Sequence, residues 1–97
     1  MNDLSFTWND EKNRINRQKH GISFEEAKSV FYDENARMIY DMDHSVDEDR
    51  FILLEMSSNL NLLVIVHCYR EAEELIRIIS ARKASKPEQK QYEEFLK

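Results

Sequence analysis

The chain has one glycine, one proline and one cysteine in 97 residues. So little glycine and proline argues against a loop-rich or disordered protein. The single cysteine, Cys68, excludes an internal disulfide and fits a reducing compartment. The longest apolar run, residues 62–66, is far below the roughly 20 residues that span a bilayer as a helix. The N-terminus carries neither a basic flank nor an apolar signal core. These absences lead to the expectation of a cytoplasmic protein without membrane contact. Its length suits one domain over residues 1–97.

Positive charge is also in short supply. The net charge is −5, with 34% charged and 41% hydrophobic residues. Residues 1–49 carry 12 acids and 6 bases, whereas residues 50–97 carry 7 acids and 8 bases. Residues 76–90 hold 5 bases and 1 acid. A local basic patch can exist on an acidic protein, as can an acidic patch that mates with a basic partner.

Leu4, Phe6 and Trp8 alternate with polar residues and predict a short strand. Asn9 then caps a helix to about Lys19, with Asp10 and Glu11 in its first turn, where the helix dipole favours acids. That helix is polar nearly all round, with Ile15 as its one strong hydrophobe. Gly21 suits a left-handed C-cap. Ser23 and Glu26 form a capping box, and Ile22 and Ala27 a hydrophobic staple, for a second helix. Its buried stripe is Phe24, Ala27, Val30 and Phe31. Strands are expected over residues 36–41, 51–56, 62–69 and 75–81, with a glycine-free hairpin at residues 57–61. Ser85, Glu88 and Pro87 open a last helix that buries Tyr92, Phe95 and Leu96. The fold class is therefore α+β: a small antiparallel sheet with two N-terminal helices and one C-terminal helix packed against it.

Residues 77–82, Arg-Ile-Ile-Ser-Ala-Arg, read as a strand beside the core that carries two guanidiniums and a hydroxyl. Arginine's fork of donors suits phosphate and carboxylate. By strict alternation Arg77 shares a face with Ile79, and Ser80 and Arg82 follow Ile76 and Ile78, unless the strand bulges near Ser80. The bland alternative is that both arginines bridge to glutamates. Lys83 and Lys86 extend the positive stretch to a helix N-terminus able to receive an anion. Arg50 could pair with phosphate and Glu48 orient it or act as a base; a salt bridge is the alternative. Asp41, Asp43, Ser45, Asp47 and Asp49 alternate like calcium ligands. An EF-hand needs Gly at the sixth position and Glu at the twelfth, and this chain has Val46 and Ile52. His20, His44, His67 and Cys68 lack zinc spacing. Cys68 reads as a small core residue. His67 reads as a satisfied, half-buried side chain or, less simply, as a proton carrier. His20 suits the C-terminus of its helix as a cation.

Taken in order, these pieces resemble BrnT-type toxins. The resemblance rests on Trp8, Asp10 and Lys12; on the run from Lys19, His20 and Gly21 to Ala27; and on Val30 and Phe31. It continues through Asp43, His44, Ser45, Glu48 and Arg50, residues 62–67, residues 77–82, and Ala84, Glu88 and Tyr92. It covers nearly the whole chain. It implies a RelE-like fold and the toxin of a bacterial type II toxin–antitoxin module, a ribonuclease that arrests translation. It also implies a BrnA-type antitoxin with a ribbon-helix-helix region, through which alone the complex would meet operator DNA. Ribonuclease toxins of this fold tend to be basic, and this chain is acidic.

On that reading no cofactor or metal is expected, because RNA supplies its own nucleophile, the 2′-OH. Arg77, Arg82 and Arg50 would stabilise the phosphorane, and His67 or Glu48 would move protons. The products would be a 2′,3′-cyclic phosphate and a 5′-hydroxyl. Trp8 or Tyr92 could stack a base. Lys19, His20, Arg70, Ser80, Lys83 and Lys86 complete the RNA-binding set. The competing reading is a non-catalytic module that only sequesters its antitoxin or another basic partner.

Overall fold

The computed structural model describes residues 4–32, 37–40, 49–70 and 75–95. The element order is β1 (Ser5–Thr7), α1 (Asp10–His20), α2 (Phe24–Val30), β2 (Arg37–Tyr40), β3 (Phe51–Met56), β4 (Leu62–Arg70), β5 (Leu75–Lys83) and α3 (Lys86–Phe95). The expected acidic loop, Glu48, and the side chains of Phe95 and Leu96 lie outside the described residues.

Local chemistry starts and stops the helices as the sequence predicts. Asn9 accepts a hydrogen bond from the Lys12 N–H at 3.0 Å and opens α1. Gly21 ends it at φ 72°, donating its N–H to the Arg17 carbonyl. A Cβ there would meet nothing within 4 Å, so the backbone angle alone calls for glycine. Ser23 caps α2 through the Glu26 N–H at 3.0 Å. The returning half of the expected capping box is not made. The Glu26 carboxylate turns to the β3–β4 hairpin and accepts from Ser57 Oγ (2.6 Å) and Asn61 Nδ2 (2.8 Å). At α3 the box is complete: Ser85 Oγ accepts from the Glu88 N–H, and Glu88 accepts from the Ser85 N–H at 2.8 Å.

The strands form one sheet in the order β1-β5-β4-β3-β2. β2, β3, β4 and β5 run antiparallel to their neighbours, whereas β1 pairs parallel with β5, Thr7 facing Arg77. The antiparallel expectation holds for β2 to β5, and β1 adds a parallel edge. β1 reaches the sheet through two helices and not through a hairpin, so nothing forces it antiparallel.

Two apolar clusters sandwich the sheet. On the helix-pair face, Ile22, Phe24, Ala27 and Val30 pack against Leu53, Leu63, Ile65, Ile76, Ile78 and Ala81. On the other face, Leu54, Val64, Ala84 and Tyr92 make a smaller cluster beneath α3. The part of this second face towards β1 is where the arginines emerge.

α1 reverses the usual pattern of an amphipathic helix. Its single isoleucine, Ile15, is exposed, while Asn13 and Asn16 are buried. Asn16 completes the β5 edge that β1 is too short to cover. Its amide donates to the carbonyls of Ala81 (2.7 Å) and Ile22 (2.8 Å), and its Oδ1 accepts from the Ala81 N–H (3.2 Å). Asn13 accepts from the Phe24 N–H and donates to Glu25, tying α1 to α2. Backbone groups shut away from water need partners, and these amides supply them.

Candidate functional site

Whether Arg77 and Arg82 share a face depends on one extra residue. In the β4–β5 ladder, His67 pairs with Ile78 and Val66 with Ser80, so Ile79 is an unmatched bulge residue. The bulge resets the alternation. Ile76, Ile78 and Ala81 all face the helix pair. Arg77, Ser80 and Arg82 therefore share the opposite face, together with their partners Cys68, Val66 and Val64 on β4. Strict alternation would have split the two arginines. Arg70, two residues beyond Cys68 on β4, joins the same face.

At the β1 end of this face, Thr7, Trp8, Asn9, Arg70 and Arg77 line an open cleft of about 350 Å³. Two guanidiniums thus border a surface with one aromatic ring. Trp8 is half-buried, its indole held edge-on by Phe24 with ring centroids 6.0 Å apart. Arg77 is half-buried and makes no ion pair among the described residues. A fork of donors beside an aromatic face is a fit for a phosphate with an adjoining base. Thr7 and Asn9 were absent from the sequence-derived set. Only the parallel β1–β5 register brings them to Arg77.

The other expected site residues go elsewhere. Arg82 forms a bidentate pair with Glu88, at 2.8 and 2.9 Å, and fastens the start of α3. The hydrogen-bonded Arg82 guanidinium holds the Glu88 carboxyl down at about 2. The glutamate-bridging reading thus describes Arg82, while Arg77 makes no such bridge among the described residues. Ser80 is half-buried on the arginine face, between the two. Lys83 and Lys86 are exposed at the junction of β5 and α3. Arg50 is half-buried immediately before β3, in line with the Ile52 and Leu54 alternation on the arginine face. Lys19 and His20 sit in the last turn of α1, outside the cleft.

His67 and Tyr92 are corrected by their surroundings. His67 is fully buried on the helix-pair face, ringed by Phe31, Phe51 and Tyr69 at centroid distances of 4.7, 6.1 and 5.3 Å. Its Nδ1 lies 3.4 Å from the Ile65 carbonyl and its Nε2 lies 3.3 Å from the Tyr69 hydroxyl. Burial lowers its pKa to about 4, against a small upward pull from that carbonyl. A neutral ring sealed in the core and turned away from Arg77 does not suit proton transfer there. Tyr92 packs its ring with Leu54, Val64 and Ala84 and donates its hydroxyl to buried Glu55. It anchors α3 and lies away from the cleft that holds Arg77.

A larger groove of about 500 Å³ runs between α3 and the β3–β4 hairpin, lined by Met56, Leu60, Leu62, Ala84 and Tyr92 among others. Among the described residues that line it, only Lys83 is basic. The groove thus lacks the paired guanidiniums that line the smaller cleft.

A family model described as ribonuclease toxin, BrnT, of type II toxin–antitoxin system matches residues 8–88. The fold is similar to that in a 1.1 Å crystal structure of the Brucella abortus ribonuclease toxin BrnT. The TM-score is 0.67 and the sequence identity 20%, over 87% of this chain and 100% of that one. No curated protein matches the sequence.

Proposed function

The chain belongs to the BrnT family, the ribonuclease toxins of type II toxin–antitoxin systems, and from that premise we propose that it cleaves RNA at the cleft of Trp8, Arg70 and Arg77. The observation that carries this reading is the cleft itself, where Arg77, between core-facing Ile76 and Ile78, lies on the open face beside Arg70 and Trp8. Fixed donors aimed at a phosphate are worth most where charge develops, here on the phosphorane formed by 2′-OH attack. Arg77 is assigned that task, with Arg50 and Ser80 on the same face in support. Trp8 stacks a base next to the held phosphate. Glu48 is assigned proton transfer from its place two residues before Arg50 in the sequence. The reaction needs no metal, because the 2′-OH is the nucleophile, and it leaves a 2′,3′-cyclic phosphate and a 5′-hydroxyl.

Membership of a type II family implies an antitoxin as well as an RNA substrate. We take that partner to be of the BrnA type, with a ribbon-helix-helix region that carries the complex to operator DNA, and the compartment to be the cytoplasm.

The test is Arg77→Ala, assayed for cleavage of single-stranded RNA and for growth arrest when the chain is expressed alone. Loss of one such donor should cost about 10²–10³-fold in rate, with the melting temperature little changed. Arg82→Ala should lower the melting temperature more than the rate, since its partner is Glu88. Full cleavage by folded Arg77→Ala would refute the assignment.

A further inference from the structure

Thr7 is a half-buried threonine in a three-residue strand, and its hydroxyl makes no hydrogen bond among the described residues. It is the register partner of Arg77 in the parallel β1–β5 pair and lines the same cleft. Adjacent strands lie about 4.8 Å apart, so paired side chains on one face can converge on a single small anion. The fold has no need of this oxygen. Valine has the same β-branched shape and suits a strand as well, so the strand itself does not call for a hydroxyl. Asn9, the other polar cleft residue, is engaged through its Oδ1 in capping α1. A hydroxyl held ready beside an arginine, with a tryptophan next in sequence, has the makings of a second donor to whatever Arg77 binds.

We infer that Thr7 is a substrate-positioning residue that donates its hydroxyl to the RNA phosphate held by Arg77. This rests on the assignment of the cleft to RNA phosphate. Arg77 supplies charge, while Thr7 fixes which way the phosphate oxygens point and so which edge of the nucleotide meets Trp8.

Trp8 is the single tryptophan of the chain, so its emission reports on this cleft directly. The probe is a short single-stranded 2′-O-methyl oligoribonucleotide, which cannot be cleaved by 2′-OH attack. Titrated into the full chain, it should change Trp8 emission. Thr7→Val should raise Kd about five- to tenfold, equivalent to roughly 1 kcal/mol. Thr7→Ser, which keeps the hydroxyl, should stay within twofold of the original. Arg77→Ala should weaken binding further still. Unchanged affinity in Thr7→Val alongside weakened Arg77→Ala overturns the role of Thr7 and leaves the cleft standing. Equal weakening in Thr7→Val and Thr7→Ser also overturns it, because the hydroxyl would not be the cause. Unchanged affinity in Arg77→Ala, or no change in Trp8 emission at any oligonucleotide concentration, overturns the cleft assignment itself. If Thr7→Val disturbs β1, Thr7→Ala measured against Thr7→Ser at matched melting temperature carries the same comparison.

Discussion

His67 illustrates how residue type and residue environment part company. A histidine near arginines in a ribonuclease suggests acid–base chemistry, yet this ring is at 0% exposure among aromatic neighbours. The Ile65 carbonyl can only accept, so Nδ1 carries the proton and Nε2 accepts from the Tyr69 hydroxyl. Burial lowers the folded pKa to about 4 from 6.5. The unfolded chain therefore binds a proton that the folded chain refuses across that interval. Stability from this group is complete above about pH 7 and declines as the pH falls from 6.5 towards 4. By linkage the loss between pH 7.5 and 5 is roughly 2 kcal/mol. Glu88 acts in a separate window: its carboxyl is held at about 2, so its stabilisation fades only as the pH drops below the ordinary carboxylate range. Denaturant unfolding at pH 7.5 and 5 should show His67→Phe losing about 2 kcal/mol less than the original chain over that interval. An identical loss in both would mean that His67 titrates normally.

At the scale of elements, caps and strands were legible because their causes are local. Asn9, Gly21, Ser23 and the Ser85–Glu88 box act within a few residues, and the structure uses each of them as an end signal. Two features were not legible because their causes are distant in sequence. The bulge at Ile79 is a property of the β4–β5 pairing. Residues 77–82 therefore flag a possible break near Ser80, but only the pairing with β4 decides that it occurs, at Ile79, and with it that Arg82 shares the face of Arg77. The reversed polarity of α1 is set 65 residues away, by the open backbone of Ala81 that Asn16 satisfies. Hydrophobic patterning ranks Ile15 as the inward residue, whereas hydrogen-bond demand decides for the asparagines. It follows that making α1 more conventional should weaken the protein. Asn16→Leu adds apolar volume at a buried position but strands both polar backbone groups of Ala81. Leaving such groups unpaired costs about 2–3 kcal/mol, which for a domain of this size is roughly 10–20 °C in Tm. Thermal unfolding followed by circular dichroism measures this directly. An unchanged or raised Tm would show that Asn16 does not hold α1 to β5.

For the whole molecule the difficulty is charge, since a chain with net charge −5 has to bind a polyanion. Most of the imbalance sits in the first 49 residues, with 12 acids against 6 bases. The cleft uses Arg70 and Arg77, which come together on the other face of the sheet from the helix pair. At an ionic strength of 0.1 M the screening length is about 10 Å, so exposed charges farther off than that contribute little to the potential at the cleft. Binding should then depend on a few close contacts and not on a general basic field. For single strands the logarithm of affinity falls with the logarithm of salt at about −0.7 per phosphate neutralised. Two arginines predict a slope of about −1.4, so tenfold more salt should weaken binding about 25-fold. Arg77→Ala should make the slope shallower by about 0.7. The competing arrangement would run RNA along α1, whose exposed Lys12, Arg17 and Lys19 would raise the count to five. That predicts a slope near −3.5, falling only to about −2.8 in Arg77→Ala. Titration of a 2′-O-methyl oligoribonucleotide between 0.05 and 0.5 M salt separates the two. A shallow slope identifies a site that grips one or two phosphates, which is how an acidic protein can cut RNA without adhering to it at length.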